Sequence, residues 1–169
     1  CYYFEKFLNW NGIAIEPSNI QFGKLKKNRK CNVLNNAISN EVKEVEFIEV
    51  IEGLTQMSGI NNSSFKKNID IISNNQSSKT KSLNLKTITF SDIAPKDTDI
   101  DYLSIDIEGG EMNLIKSINF EIINIKVISV ENNSPKEQNF KNFFEGKNFN
   151  YFDRIGQDEI FYNNKYFKF

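Results

Sequence analysis

Histidine is absent from this chain of 169 residues, and arginine occurs only at Arg29 and Arg154. The absence of histidine removes the commonest general base and the commonest metal ligand of proteins. Any proton transfer must therefore use Asp, Glu, Lys, Tyr or water. The 21 basic and 22 acidic residues nearly cancel, so there is no electrostatic case for nucleic acid or an anionic membrane as the main partner.

Cysteine is scarce as well, and no long apolar run is present. Cys1 and Cys31 are too few for a disulfide framework and lack the spacing of a metal site, so we expect reduced thiols and a cytoplasmic protein. No segment reaches transmembrane length, and no signal peptide is visible. A hydrophobic content of 39% is enough for a real core, which predicts a single domain over residues 1–169.

Hydrophobic periodicity predicts helices that alternate with strands along most of the chain. The predicted helices lie near residues 1–10, 19–29 and 111–118, with a short helix capped at Thr89 and limited by Pro95 and a further helix that begins at Pro135. The predicted strands lie at 12–15, 32–34, 44–51, 83–88, 102–107, 125–130, 151–153 and 159–162. This order predicts an α/β fold with a doubly wound, mostly parallel sheet and antiparallel strands at the C-terminal end. The aromatic residues that follow Pro135 are predicted to be core and not a binding box: Phe140, Phe143, Phe144 and Phe149. Asn- and Ser-rich sequence over residues 61–81 predicts an irregular loop or lid within the domain.

The most informative segment is the apolar strand predicted at 102–107. Asp106 and Glu108 stand on alternate positions at its end, the pair Gly109-Gly110 follows, and a helical pattern then begins. In open α/β sheets, ligands bind beyond the carboxyl ends of the strands. The pattern therefore indicates either a ligand site or a packed central strand that ends in solvated carboxylates.

Two further acidic residues follow predicted strands, Glu16 before Pro17 and Glu131 after the strand 125–130. If these strands are parallel neighbours, Glu16, Asp106, Glu108 and Glu131 lie at one edge of the sheet. Carboxylates that share a cleft raise one another's pKa, and their oxygens suit a divalent cation. Neither property follows from the sequence alone, and we assign no metal ligand. The alternative for Glu16 is a surface residue that precedes a proline.

Several segments, in order and over nearly the whole chain, carry a resemblance to a known family. The chain resembles the FkbM-type S-adenosylmethionine-dependent methyltransferases. The matching segments are Trp10–Pro17, Asn28–Arg29, Asn35–Ile38, Ser58–Gly59, Ile100–Glu111 and Val127–Asn133. The sharpest of them is the Ile100–Glu111 segment, which includes Asp106, Glu108 and Gly109.

The resemblance implies a Rossmann-like class I methyltransferase fold and O-methylation of a small-molecule or glycan acceptor, often a sugar hydroxyl. By position in the family fold, Glu16 would bind the ribose of S-adenosylmethionine, and Asn36 and Ala37 would lie beside the adenine. Asp106 and Glu108 would face the methionine end of the cofactor and the acceptor. Either carboxylate could take the hydroxyl proton during transfer.

Two departures from the family pattern matter. The first strand of the fold and its glycine-bearing loop would precede Cys1, so we expect an N-terminally truncated domain. Residues 1–169 alone should then bind the cofactor poorly and be inactive. Family members often have histidine after the glutamate of the fifth strand, whereas this chain has Asn132, which argues against proton transfer by histidine.

Two other classes of function are also compatible with the sequence. The domain could be a non-catalytic nucleotide- or glycan-binding module that keeps the fold without the chemistry. It could also be a nicotinamide-dependent oxidoreductase, since Glu16 would serve NAD equally well. The acceptor and the oligomeric state are not predicted.

Overall fold

The computed structural model describes residues 1–94 and 99–167, which form two compact units, Cys1–Thr89 and Phe90–Phe169. The single domain expected from the sequence stays a prediction. Pro95, which the sequence suggests as the limit of a short helix, lies outside the described residues. In the described parts of the chain, every helix is too short or too polar to cross a lipid bilayer.

The first unit contains two sheets. Its elements are α1 (Tyr2–Leu8), β1 (Ile13–Ile15), α2 (Asn19–Asn28), β2 (Asn32–Leu34), β3 (Ala37–Ile38), β4 (Glu44–Glu52), β5 (Gly59–Ile60), α3 (Lys66–Asn74) and β6 (Lys79–Ile88). Strands β1 and β2 form a parallel pair. The second sheet has the order β3-β6-β4-β5, in which β3 and β6 are parallel and β4 is antiparallel to both neighbours.

The segment 61–81, expected to be an irregular loop or lid, is largely regular: it contains α3 and the start of β6. Its Asn and Ser residues form caps, as where the Asn62 side chain accepts hydrogen bonds from the backbone N–H groups of Ser64 and Phe65. Phe65 is fully buried and packs with Val50 and Ile72. The expectation of irregularity is wrong because Asn and Ser residues are as typical of helix ends as of loops, and in this segment they form caps.

Helix α1 is attached to the rest of its unit through Glu5. The Glu5 carboxylate accepts hydrogen bonds from the backbone N–H groups of Lys30 and Cys31 and from the Arg29 guanidinium. The Lys30 N–H and then the Arg29 side chain lower the pKa of Glu5 to about 2. No residue of α1 is buried, so this carboxylate is a main point of attachment for the helix.

We expect α1 to loosen in acid as Glu5 becomes protonated. Because the folded-state pKa of Glu5 lies below its ordinary value of 4.5, its contribution to stability is complete above about pH 4.5 and is lost towards about pH 2. Trp10, the one tryptophan of the chain, stacks on Phe4 of α1 with ring centroids 4.7 Å apart. Its fluorescence should therefore change over this pH range.

Glu5→Gln should shift this fluorescence change or abolish it, because the amide does not titrate. Glu46→Gln is the matched control: Glu46 is an exposed carboxylate of β4 whose pKa is lowered by its hydrogen bonds with Ser82 and Asn61. An identical acid profile for wild type and Glu5→Gln would contradict this role for Glu5.

The second unit holds one sheet with the order β7-β8-β10-β9. Its elements are α4 (Phe90–Ile93), β7 (Ile100–Ile105), α5 (Glu111–Ser117), β8 (Ile125–Glu131), α6 (Phe140–Glu145), β9 (Phe149–Ile155) and β10 (Asp158–Asn163). Strands β7 and β8 are parallel, whereas β10 is antiparallel to β8 and to β9. The expected antiparallel finish is therefore present.

The mixed α/β architecture is confirmed, but the predicted mostly parallel, doubly wound sheet is not. Among the described residues, three strand pairs are parallel and four are antiparallel, in three separate sheets. The long strands β4 and β6 are neighbours and pair in antiparallel orientation. This could not be predicted because the local periodicity of a strand does not encode the direction of its partner.

Aromatic side chains fill the core of the second unit. Phe140, Phe144 and Phe161 are fully buried, and the ring centroid of Phe144 lies 4.5 Å from that of Phe161 and 5.5 Å from that of Phe149. These contacts fix α6 on the sheet that carries the ends of β7 and β8. The aromatic residues are core, as the sequence suggests, and not a binding box.

Candidate functional site

The register of β7 and β8 places two acidic residues side by side. Ser104 pairs with Ser129 and Ile105 with Val130, so Asp106 and Glu131 come next on neighbouring parallel strands. The Tyr102 hydroxyl donates a hydrogen bond to the Ser129 hydroxyl over 2.7 Å, which links the two strands through their side chains. Both acids therefore lie at the carboxyl ends of the strands, the edge where α/β sheets bind ligands.

Glu108 completes a cluster with these two acids. One carboxylate oxygen each from Asp106, Glu108 and Glu131 lies within 4.8 Å of the other two. Asp106 is exposed, and Glu108 and Glu131 are half-buried. Hard cations such as Mg²⁺ and Ca²⁺ take oxygen ligands of this kind, but acidic groups this close also occur without an ion.

The turn that displays Asp106 and Glu108 has an unusual backbone. Glu108, Gly109 and Gly110 have φ angles of 56°, 111° and 120°. A left-handed non-glycine residue is uncommon and costs free energy, and such residues are concentrated at functional sites. The two glycines therefore reflect a backbone requirement of the turn, and Glu108 is held in a conformation it would rarely choose.

Glu111 holds this turn in place. Its side chain is 4% exposed, and its Oε1 accepts hydrogen bonds from the Gly109 N–H over 2.8 Å and from the Ile107 N–H over 3.3 Å. Charge-assisted bonds of this type are about twice as strong as bonds between neutral groups. Glu111 thus fixes the backbone on both sides of Glu108.

The cluster retains a proton at neutral pH. Desolvation, followed by the charges of Asp106 and Glu108, raises the pKa of Glu131 to about 8. Desolvation also raises the pKa of Asp106, while its hydrogen bond with Glu131 acts in the opposite direction. Burial and the neighbouring negative charges therefore favour one proton shared within the cluster, which the pair can donate or accept.

The raised pKa of Glu131 predicts that stability depends on pH in an unusual way. The folded-state pKa of Glu131 is above its ordinary value of 4.5, so between about pH 4.5 and pH 8 the folded chain binds more protons than the unfolded chain. The free energy of unfolding should therefore fall as the pH rises through this range. Urea denaturation at a series of pH values measures this slope.

Glu131→Gln should flatten that slope and make the protein relatively more stable at pH 8 and above. Glu145→Gln, at an exposed position of the same unit, serves as the control and should keep the slope of the wild type. If Glu131→Gln and wild type lose stability in parallel from pH 4.5 to pH 8, the proton is not held at Glu131.

Of the residues near the acid cluster, the sequence singles out Asn132 but not Asp158 or Glu159. Asp158 pairs with Glu131 across β10 and β8, and its charge raises the pKa of Asp106. Asn132, 1% exposed, donates hydrogen bonds from its side chain to Glu159 and to the Gln138 carbonyl group. Asn132 is thus a structural residue at the position where the family often has histidine. The signal in the sequence for the two missed residues is the acidic pair Asp158-Glu159 at the start of the last predicted strand.

Three of the four predicted cofactor residues, Glu16, Asn36 and Ala37, lie in the first unit, and the fourth, Asp106, lies in the second. Glu16 directly follows β1, is half-buried, and accepts a hydrogen bond on Oε1 from the Ser18 N–H over 2.8 Å. Asn36 is half-buried between β2 and β3, whereas Ala37 is 2% exposed and pairs with Thr87. Any contact of Ala37 with adenine would have to use its backbone or this small exposed area. The predicted meeting of Glu16 with the acid cluster stays a prediction, as do the roles assigned to all these residues.

Comparison with known proteins supplies the family. Searches of the curated proteins and of the solved structures found no match to the chain. The family model described as the methyltransferase FkbM domain matches residues 1–157, which include the acid cluster, Glu16 and most of both units. The resemblance stated from the sequence is confirmed, and the chain belongs to the FkbM methyltransferase family.

Proposed function

We propose that the protein is an S-adenosylmethionine-dependent O-methyltransferase that acts on a hydroxyl group of a small molecule or glycan, with a sugar as the favoured acceptor. The observation that carries the proposal is the proton-sharing cluster of Asp106, Glu108 and Glu131. It supplies a base at the end of β7 in a chain that belongs to a methyltransferase family.

The residues present suit the proposed cofactor. Glu16 offers a half-buried carboxylate at a strand end, one oxygen of which accepts a hydrogen bond from the Ser18 N–H, and carboxylate oxygens accept hydrogen bonds from hydroxyl groups. It can therefore receive the ribose hydroxyl groups, with Asn36 and Ala37 beside the adenine. Asp106 and Glu108 carry negative charge that suits the positively charged methionine end.

The reaction moves a methyl group and a proton. When bound, S-adenosylmethionine supplies a methyl carbon that bonds to the acceptor oxygen while its bond to sulfur breaks, and the electron pair of that bond stays on sulfur. Asp106 takes the hydroxyl proton, and Glu131 donates a hydrogen bond to Asp106 beforehand. Glu108 orients the acceptor hydroxyl in this proposal; its strained turn supports that role, and alignment of this kind contributes much of the rate.

The test is methyl transfer by the full-length protein from methyl-labelled S-adenosylmethionine to a panel of sugars and glycans, with and without a chelator. We expect label in a hydroxyl group of at least one acceptor, and weaker cofactor binding by Glu16→Gln. Cofactor binding without transfer to any acceptor would favour the non-catalytic binding module. Binding of NAD instead of S-adenosylmethionine would favour the oxidoreductase.

A further inference from the structure

A second buried acid, Glu49, is attached to the turn that carries Glu16. Glu49 lies in the middle of β4 and is 3% exposed, although both ends of this strand are exposed. On an alternating strand it shares its face with Phe47, which is 1% exposed. A carboxyl group in such surroundings costs free energy unless it has strong hydrogen bonds, and an apolar side chain would pack there at lower cost.

The hydrogen bonds of Glu49 all lead to the start of α2. Its Oε1 accepts from the Ser18 hydroxyl over 2.8 Å and from the Ile20 N–H over 3.3 Å. Ser18 is 1% exposed, and its Oγ also accepts from the Gln21 N–H as the cap of the helix. Ser18 caps the Gln21 N–H, and Glu49 adds a bond to the Ile20 N–H of the same helix end, so Glu49 both helps to cap α2 and holds the Ser18 hydroxyl group.

The same serine is bonded to Glu16. The Ser18 backbone N–H donates to Glu16 Oε1 over 2.8 Å, so one residue connects the two acids: its hydroxyl to Glu49 and its N–H to Glu16. On the other side, the Asn35 side chain donates to the carbonyl groups of Glu16 and Pro17. Hydrogen bonds therefore hold the turn 16–18 on both sides. Glu49 holds Ser18, the residue whose N–H is bonded to the Glu16 carboxylate.

We propose that Glu49 is a positioning residue that acts through Ser18 to hold the Glu16 carboxylate in the orientation that accepts the ribose hydroxyl groups of the cofactor. The inference rests on the proposed function, because it assumes that Glu16 binds ribose. It adds a residue that lies 33 positions further along the sequence and belongs to a different sheet.

The test compares two ligands of the full-length protein, S-adenosylhomocysteine and its analogue without the two ribose hydroxyl groups. For wild type, we expect the analogue to bind about 10- to 100-fold more weakly, since hydrogen bonds to a charged group are lost. Glu49→Ala should reduce the ratio of the two dissociation constants, analogue over S-adenosylhomocysteine, at least about threefold. The reduction comes chiefly from weaker binding of S-adenosylhomocysteine. Glu49→Gln keeps an oxygen that accepts from Ser18 and should restore most of the ratio.

Two further variants keep the test decisive. Ser18→Ala removes the hydroxyl group but leaves the N–H bonded to Glu16, and it should lower the ratio as Glu49→Ala does, even if Glu49→Ala fails to fold. Glu46→Ala, at an exposed acid of the same strand, should leave the ratio unchanged. A residue with a merely structural role would weaken both ligands equally or lower only the unfolding temperature.

The outcomes separate this inference from the function on which it rests. A lowered ratio in Glu49→Ala and Ser18→Ala, with rescue in Glu49→Gln, supports it. If Glu16→Ala, which removes the acceptor oxygens, brings the two affinities together while folded Glu49→Ala and Ser18→Ala keep them apart, the inference is overturned and the ribose contact of Glu16 stands. If wild type and Glu16→Ala show the same small difference in affinity, the ribose contact itself is wrong, and the inference falls with it.

Discussion

Asp106→Asn should lower the turnover of methyl transfer about 10²- to 10⁴-fold at saturating S-adenosylmethionine, the range that a positioned general base contributes. The asparagine side chain is close in size to aspartate but cannot accept a proton from the acceptor hydroxyl. Asp106 is the exposed member of the acid cluster, so it is the one an incoming acceptor can reach. The measurement is the transfer of labelled methyl groups, with cofactor affinity determined separately by titration.

Two matched variants show whether this loss is specific to the position. Asp101→Asn makes the same chemical change in the same strand, at an exposed residue that forms an ion pair with Lys126, and it should keep nearly full activity. Glu131→Gln keeps a hydrogen-bond donor beside Asp106 and should retain far more turnover than Asp106→Asn. Turnover of Asp106→Asn within about threefold of wild type would rule out Asp106 as the base.

Phe144→Ala should destabilise the second unit by about 3–5 kcal/mol, the usual loss when a buried phenylalanine is truncated. Phe144 is fully buried, and its ring contacts those of Phe120, Phe143, Phe149 and Phe161. Truncation removes these edge-to-face and tilted contacts and leaves a cavity under the sheet. Since the stability of most proteins is of similar size, much of the unit should unfold in dilute urea.

Phe152→Ala is the control for this prediction. Phe152 lies on β9 of the same unit but is 63% exposed, so its truncation should cost less than about 1 kcal/mol. Denaturation in urea, followed by near-ultraviolet circular dichroism of the aromatic residues, measures both variants. A loss below about 1 kcal/mol for Phe144→Ala would show that the aromatic cluster is not the main source of stability.

The strands of the second unit could be predicted because their apolar residues are continuous in sequence. The predicted strands 102–107 and 125–130 correspond to β7 and β8, although β7 begins and ends two residues earlier than predicted. Asp106 directly follows β7 and Glu131 ends β8, and parallel pairing brings the two together. By contrast, α3 could not be predicted from the sequence. Its buried residue Ile72 lies among Asn and Ser residues that are equally typical of loops.

Pairing direction and buried acids could not be predicted, for a common reason. Whether β4 lies parallel or antiparallel to β6 depends on contacts between residues about 35 positions apart in the sequence, which local periodicity does not report. Likewise, Glu49 and Glu111 look like surface acids in the sequence, because acidic residues are nearly always exposed. Only the folded chain shows the backbone and hydroxyl donors that compensate their burial.

The pairing of β7 with β8 also limits how the length of this chain can vary. Successive side chains of a strand point to opposite faces, so deleting one residue within 102–105 would turn every later side chain of β7 to the other face. Asp106 would then point away from Glu131, and Ile105 would exchange its buried environment for an exposed one. Insertions and deletions should therefore be tolerated better between Ser117 and Ile125 than within either strand.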